Sequence, residues 1–88
     1  MELVRVRSPL SLHGDLIGYR LGEAECGECG GKRFLLITSR GIFSVCERCG
    51  FVEWEWMVGD SPEYLDYLSE RYGVSKRDII MALERWGV

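Results

Sequence analysis

Four cysteines, Cys26, Cys29, Cys46 and Cys49, are the residues whose type and spacing point most directly to chemistry. They fall as C-x2-C-x16-C-x2-C, inside the spacer range of about 15–20 residues over which two cysteine pairs meet at one metal ion. Two residues between cysteines allow a tight turn to aim both sulfurs at one point, and two such turns complete a tetrahedron of thiolates. Gly30 and Gly50 each follow the second cysteine of a pair. Glycine there lets the chain reverse sharply, so that backbone N–H groups can point at sulfur. Four thiolates leave no open coordination position, so the expected ion, one Zn2+, holds structure and does not activate water.

Other cysteine chemistries compete with that reading. An all-sulfur tetrahedron suits iron as well as zinc, which would make a small electron carrier, and spacing does not set a reduction potential. Two disulfides would need an oxidising compartment. The segment Met1-Glu2-Leu3-Val4-Arg5 alternates charge with apolar residues and lacks the continuous apolar stretch of a secretory signal, so the expectation is a cytoplasmic protein with reduced thiols. A redox C-x-x-C would need a helix after its first cysteine to lower its pKa. Here Gly30-Gly31 and Gly50-Phe51 lead into strand-like runs. His13, the single histidine, lies in an expected loop with no nucleophile pattern beside it and reads as a surface residue.

The elements that must position the cysteines follow from periodicity. The chain has 88 residues, 47% hydrophobic and 28% charged, a globular composition too short for a large enzyme and far from the polar bias of disorder. A core this small only just offsets the cost of ordering the chain, which is why a metal staple is expected. Residues 1–23 hold two alternating runs, Leu3 to Arg7 and Leu16 to Arg20, an N-terminal β extension. Residues 24–58 hold the cysteines and three further strand-like runs, Lys32 to Thr38, Ile42 to Val45 and Phe51 to Met57, with Ser39-Arg40-Gly41 as a hairpin turn. In the last run Val52, Trp54 and Trp56 alternate with Glu53 and Glu55, which predicts one buried face, and the three tryptophans read as core. Residues 61–88 read as a helical hairpin. Ser61 caps a helix with Pro62 at its first position, ending near Tyr72. Gly73 closes it, and Ser75 caps a second helix running to about Trp86. Leu65, Leu68 and Tyr72, then Ile79, Ala82, Leu83 and Trp86, lie at helical spacing. The expected fold class is α+β, one small unit.

The cysteine segments Cys26-Gly27-Glu28-Cys29-Gly30-Gly31-Lys32-Arg33 and Val45-Cys46-Glu47-Arg48-Cys49-Gly50-Phe51-Val52, with Arg40-Gly41 between, resemble the zinc ribbon of general transcription factor B over residues 26–53. The resemblance implies a three-stranded antiparallel ribbon and a protein partner in the transcription machinery. Zinc ribbons also occur in polymerase subunits, ribosomal proteins and translation factors, so the motif specifies fold better than partner. Residues 1–25 precede the ribbon here, and the cyclin-like repeats of factor B do not follow it.

Residues 68–83 resemble the helix-turn-helix of bacterial-type repressors, with Ser69 small at the helix crossing, Gly73 in the turn and Ser75 as cap. That resemblance would place Lys76 and Arg77 against DNA. Against it, Ile80 and Met81 occupy the face a reading helix keeps polar. Residues 61–88 also carry four basic side chains against five acidic ones, and the whole chain has net charge −3. The other reading packs this hairpin against the ribbon. Lys32, Arg33 and Arg40, with Phe43 taken as exposed, form a candidate basic and aromatic patch for nucleic acid or a protein partner; the alternative is a charged, solvated edge. No apolar run approaches the roughly 18 residues of a membrane span. No paired carboxylates, phosphate-cradling loop or nucleophile–base pair stands out, so neither an enzyme nor a small-molecule substrate is expected.

Overall fold

A run of five strands joined by short reversals has only neighbours in sequence to pair with, and the chain folds that way. A computed structural model describes residues 2–7 and 14–87. Strands β1 (Glu2–Arg7), β2 (Asp15–Glu25), β3 (Lys32–Thr38), β4 (Gly41–Cys46) and β5 (Val52–Met57) are followed by helices α1 (Tyr64–Tyr72) and α2 (Lys76–Arg85). The strands form one antiparallel sheet in the order β1-β2-β3-β4-β5, so the fold class is α+β. His13 lies outside the described residues. Among the described residues no helix is long and apolar enough to cross a membrane.

The central strand explains its own sequence. Every residue from Arg33 to Thr38 is buried, and a strand covered on both faces reads as a continuous apolar run with no alternation. Leu35 and Ile37 face the helices, where they pack with Ile42 of β4, Leu65, Leu68 and Tyr72 of α1, and Ile79, Ala82 and Leu83 of α2. Phe34 and Leu36 face the other way, into a second cluster with Leu16, Phe43, Val45 and Val52. Val4 and Val6 of β1 close that cluster from one edge of the sheet, and the Arg20 guanidinium lies 4.2 Å above the Phe34 ring.

The β3–β4 turn has two residues, Ser39 and Arg40, between the paired Thr38 and Gly41. The Thr38 hydroxyl donates to the Gly41 carbonyl at 2.9 Å and accepts from the Arg40 N–H at 3.2 Å. Strand β2 is longer than its alternating run, continuing through a bulge between Leu21 and Ala24 up to the first cysteine. Within the bulge Gly22 has φ +71, and a Cβ there would lie 2.7 Å from the Tyr72 carbonyl oxygen. A larger residue would push α1 off the sheet.

The helical hairpin packs as a cover on the sheet. Ser61, expected as the cap of α1, accepts from the Glu63 N–H at 3.4 Å but lies outside the helix: a turn of i to i+3 bonds from Ser61 to Asp66 intervenes, and the N-cap position is Glu63, which makes no side-chain cap bond. Gly73 closes α1 in the left-handed conformation. Ser75 caps α2 by accepting from the Arg77 N–H at 3.2 Å. The Ser69 hydroxyl donates to the Val74 carbonyl, tying the link between the helices.

Two expectations about buried aromatics need correction. Trp54 is 47% exposed: it keeps the alternation of Val52 and lies opposite Phe43 on the face away from the helices, while a bulge at Glu55 sets Trp56 opposite Ile42 on the helix side. The extra residue moves the two indoles to opposite faces. Trp56 and Trp86 are half-buried against the helix-side cluster. Phe43, expected on the surface, is 3% exposed and packs edge-on against Trp54, ring centres 5.3 Å apart.

Candidate metal centre

Both cysteine pairs sit in hairpin loops at one end of the sheet. Cys26 follows the last residue of β2 and Cys46 is the last residue of β4, while β3 and β5 leave the two loops. The sheet therefore fixes the separation of the loops, since β3 pairs with both β2 and β4.

The two loops repeat one backbone design. In the first, the Gly30 N–H donates to the Cys26 carbonyl at 2.9 Å, and the Cys26 N–H donates to the Gly31 carbonyl at 2.8 Å. In the second, Gly50 N–H donates to Cys46 carbonyl at 3.1 Å, and Cys46 N–H to Phe51 carbonyl at 3.0 Å. Gly30 and Gly50 both have φ +72, a left-handed conformation that any Cβ disfavours, which accounts for glycine at both places. Backbone N–H groups reach sulfur in each loop, from Gly31 to Cys29 at 3.4 Å and from Cys49 to Cys46 at 3.4 Å.

The four sulfurs all lie within 4.8 Å of one another. Cys26 and Cys49 sulfurs are 3.9 Å apart, and those of Cys29 and Cys46 3.4 Å. A tetrahedron with metal–sulfur bonds of about 2.3 Å has edges of about 3.8 Å, whereas a disulfide would bring two sulfurs to about 2.05 Å. All four cysteines are free, and their separations match ligation of a metal ion.

Without a cation the thiols compete for charge. The Cys49 N–H, aimed at the Cys46 sulfur, is the main influence holding the Cys46 thiol down at about 6. At Cys49 the Phe51 N–H pulls the other way but is outweighed by the Cys46 thiol, burial and the other two thiols, which push it up to about 12. A divalent ion is what lets all four carry thiolate character together.

The surroundings bind this end into the fold. Arg20 of β2 pairs with Glu47 in the second loop, and the Glu47 N–H donates to the Lys32 carbonyl at 3.0 Å. Gly31 faces Arg48 so closely that a Cβ would lie 2.8 Å from the Arg48 Cβ.

The candidate contact residues do not converge. Arg33, expected on an exposed patch, is 3% exposed. It donates to the Ser44 carbonyl at 3.3 Å, pairs with Glu53 at 3.5 Å and lies 5.0 Å from the Phe51 ring centre. The Ser44 carbonyl and Glu53 both meet one terminal nitrogen, while Nε is buried without a partner; held this way, Arg33 buttresses the second cysteine loop and presents nothing to an outside partner. Lys32 is exposed at the metal end, 3.9 Å from Glu23. Arg40 is exposed in the β3–β4 turn, at the opposite end of the sheet. Lys76 pairs with Asp66 of α1 at 3.0 Å. Arg77 lies on the outer face of α2, lining a cavity of about 600 Å³ with Ile80, Met81 and Glu84.

Sequence reasoning missed a polar seam between sheet and α1. The Ser44 and Tyr72 hydroxyls are 2.6 Å apart and buried, and burial pushes the Tyr72 phenol up. Tyr64 donates to Glu55 at 3.1 Å. Partners separated by 28 and 9 residues leave no local signal. Searches against protein-family models, curated proteins and solved structures find no match to this chain.

Proposed function

We propose that this chain is a non-enzymatic zinc-ribbon module that serves transcription or another nucleic-acid process in the cytoplasm by docking on nucleic acid or on a protein of that machinery. The observation that carries the reading is the cluster of four sulfurs between two matched loops. Cys26, Cys29, Cys46 and Cys49 would hold one Zn2+, whose contribution is mechanical: four thiolates leave no position for water or substrate. The sheet residues around the loops fix their separation, and Arg33 and Arg20 hold the second loop against β3 and β2. What the rigid sheet then offers is surface, which is why docking and not turnover is the proposed role.

Elemental analysis and an absorption spectrum of freshly purified protein test the metal. One zinc per chain and no visible colour is the expected result; stoichiometric iron with visible absorption replaces the reading with an electron carrier. Gel shifts with single- and double-stranded nucleic acid test the docking role. A shift that weakens with added salt supports nucleic-acid docking, and no shift at low salt leaves a protein-interaction module.

A further inference from the structure

We infer that the end of the sheet opposite the cysteines binds the phosphate backbone of a single-stranded nucleic acid, an inference that rests on the nucleic-acid reading above and adds its place on the molecule. The helices cover the sheet only in part. Beyond them Leu3 of β1 and Ile17 of β2 are 55% and 41% exposed. A cavity of about 250 Å³ opens there, lined by Asp15, Ile17, Thr38, Arg40 and Trp86 among others.

Arginines gather around it from three parts of the chain. Arg5 lies opposite Ile17 and Arg7 opposite Asp15 in the β1–β2 register, so both share the face on which Ile17 lines the cavity. They occupy alternate positions of one strand, about 6.8 Å apart at Cα, comparable to the step between successive phosphates of an extended strand. Arg40 comes from the β3–β4 turn. Arg85, at the end of α2, lies 5.7 Å from the Tyr19 ring centre. Trp86 packs on the same ring at 5.6 Å and donates from its indole N–H to the Ile37 carbonyl at 2.8 Å, which fixes the indole at the cavity wall.

Charge separates this end from the rest of the molecule. Among the described residues the four ion pairs lie elsewhere, at Arg20–Glu47, Lys32–Glu23, Arg33–Glu53 and Lys76–Asp66. Among the described residues Arg40 and Asp15 are the charged groups of the cavity lining, and Arg5, Arg7 and Arg85 stand around it, in a chain whose net charge is −3. Guanidinium forks match phosphate oxygens in pairs, and the apolar Ile17 and Trp86 beside them suit a base face. An acidic peptide would use the charges and leave that apolar lining without a role. A duplex, with its bases stacked inside, could not use the cavity.

Fluorescence anisotropy with short labelled DNA and RNA single strands, using the zinc-loaded full chain, tests the proposal. The double variant Arg5→Glu/Arg40→Glu is expected to weaken binding at least tenfold and to lower the salt slope by about 1.4, two phosphate contacts at ~0.7 each. Arg5→Gln/Arg40→Gln, which alters the fold less, should weaken it in the same direction. The control pair Lys76→Glu/Arg77→Glu, on the far end of α2, should bind like the parent. If the parent chain binds no single strand, this inference falls, and the nucleic-acid reading falls with it only if a duplex gives no shift either. Should the parent bind while the Arg5/Arg40 variants bind equally well, or lose no more than the control, the site is wrong and the reading stands. Displacement of the strand by an acidic peptide at equal concentration would overturn the ligand class.

Discussion

The cysteine end of this sheet and its helix-covered face are held by different forces. At the metal end, residues 26–31 and 46–51 are mostly exposed, supply no large apolar side chain besides Phe51, and are ordered by backbone hydrogen bonds and sulfur. Toward the helices, Leu35, Leu68, Tyr72, Ile79 and Ala82 are buried to 1% exposure or less and order is maintained by packing. The first arrangement is local and conditional: it depends on a reduced site and an available ion. The second depends on apolar area and shape and contains no cysteine on which a chelator or oxidant would act directly. A chain of 88 residues uses both because the loops that present the cysteines have, apart from Phe51, no apolar side chain with which to hold themselves.

The strongest way to break that contrast is to remove a ligand. Structural zinc contributes roughly 10–16 kcal/mol in small peptides, comparable to the whole stability of an ordinary domain, about 5–15 kcal/mol. Cys46→Ser, or chelation of the parent chain, is therefore expected to lower the melting temperature more than any single core truncation. Amide hydrogen exchange should become fast first in residues 26–31 and 46–51. Loss of protection at equal rates in α1 and in the loops would mean that the two regions form one cooperative unit, and the contrast would fail.

The complementary cut is in the helix-side core. Leu68 is fully buried among Leu35, Ile37 and Ile79, and truncating such a leucine costs about 2–5 kcal/mol. Leu68→Ala should shift the unfolding midpoint in denaturant by that amount while bound metal stays at the parent's stoichiometry. Parallel loss of metal would show that the cage depends on the packing above it.

The parts legible in sequence were those set by short-range rules. The cysteine loops follow from spacing plus a glycine at a fixed offset, and both glycines adopt the left-handed conformation that the reversal needs. Helix limits followed from Ser75 and Gly73, which act on their immediate neighbours. What escaped depends on partners distant in the chain. Gly22, Glu23, Ala24 and Glu25 are poor strand formers, yet β2 continues across them because β3 offers a pairing edge. Trp56 is parted from Val52 and Trp54, onto the helix-side face, by a bulge that alternation cannot reveal. Arg33 looks like any surface arginine until Glu53 and Phe51 of the next hairpin arrive beside it. Of the arginines at the far end the sequence pointed only to Arg40; Arg5 and Arg7 are tied to that end by strand pairing with Ile17 and Asp15, and Arg85 by its contact with Tyr19.

The smallest effect lies at the seam between the two regions. Glu55 accepts from Tyr64 through one carboxylate oxygen, while the other is buried without a partner. Burial raises its pKa above the usual 4.5, partly opposed by the Tyr64 hydrogen bond. A carboxyl whose pKa is higher folded than unfolded binds its proton more tightly in the native state. Its contribution is therefore most favourable below the unfolded value and declines as pH rises from about 4.5 through the raised folded value. Glu55→Gln keeps an acceptor for Tyr64 and removes the charge, so the variant should be as stable as the parent in acid and slightly more stable at neutral pH. The metal cage also weakens in acid as thiolates protonate, but it does so in both proteins. The difference in melting temperature between variant and parent, followed from pH 4 to 8, thus isolates the carboxyl. A difference that stays constant over that range would mean that Glu55 is as well solvated in the fold as in the unfolded chain.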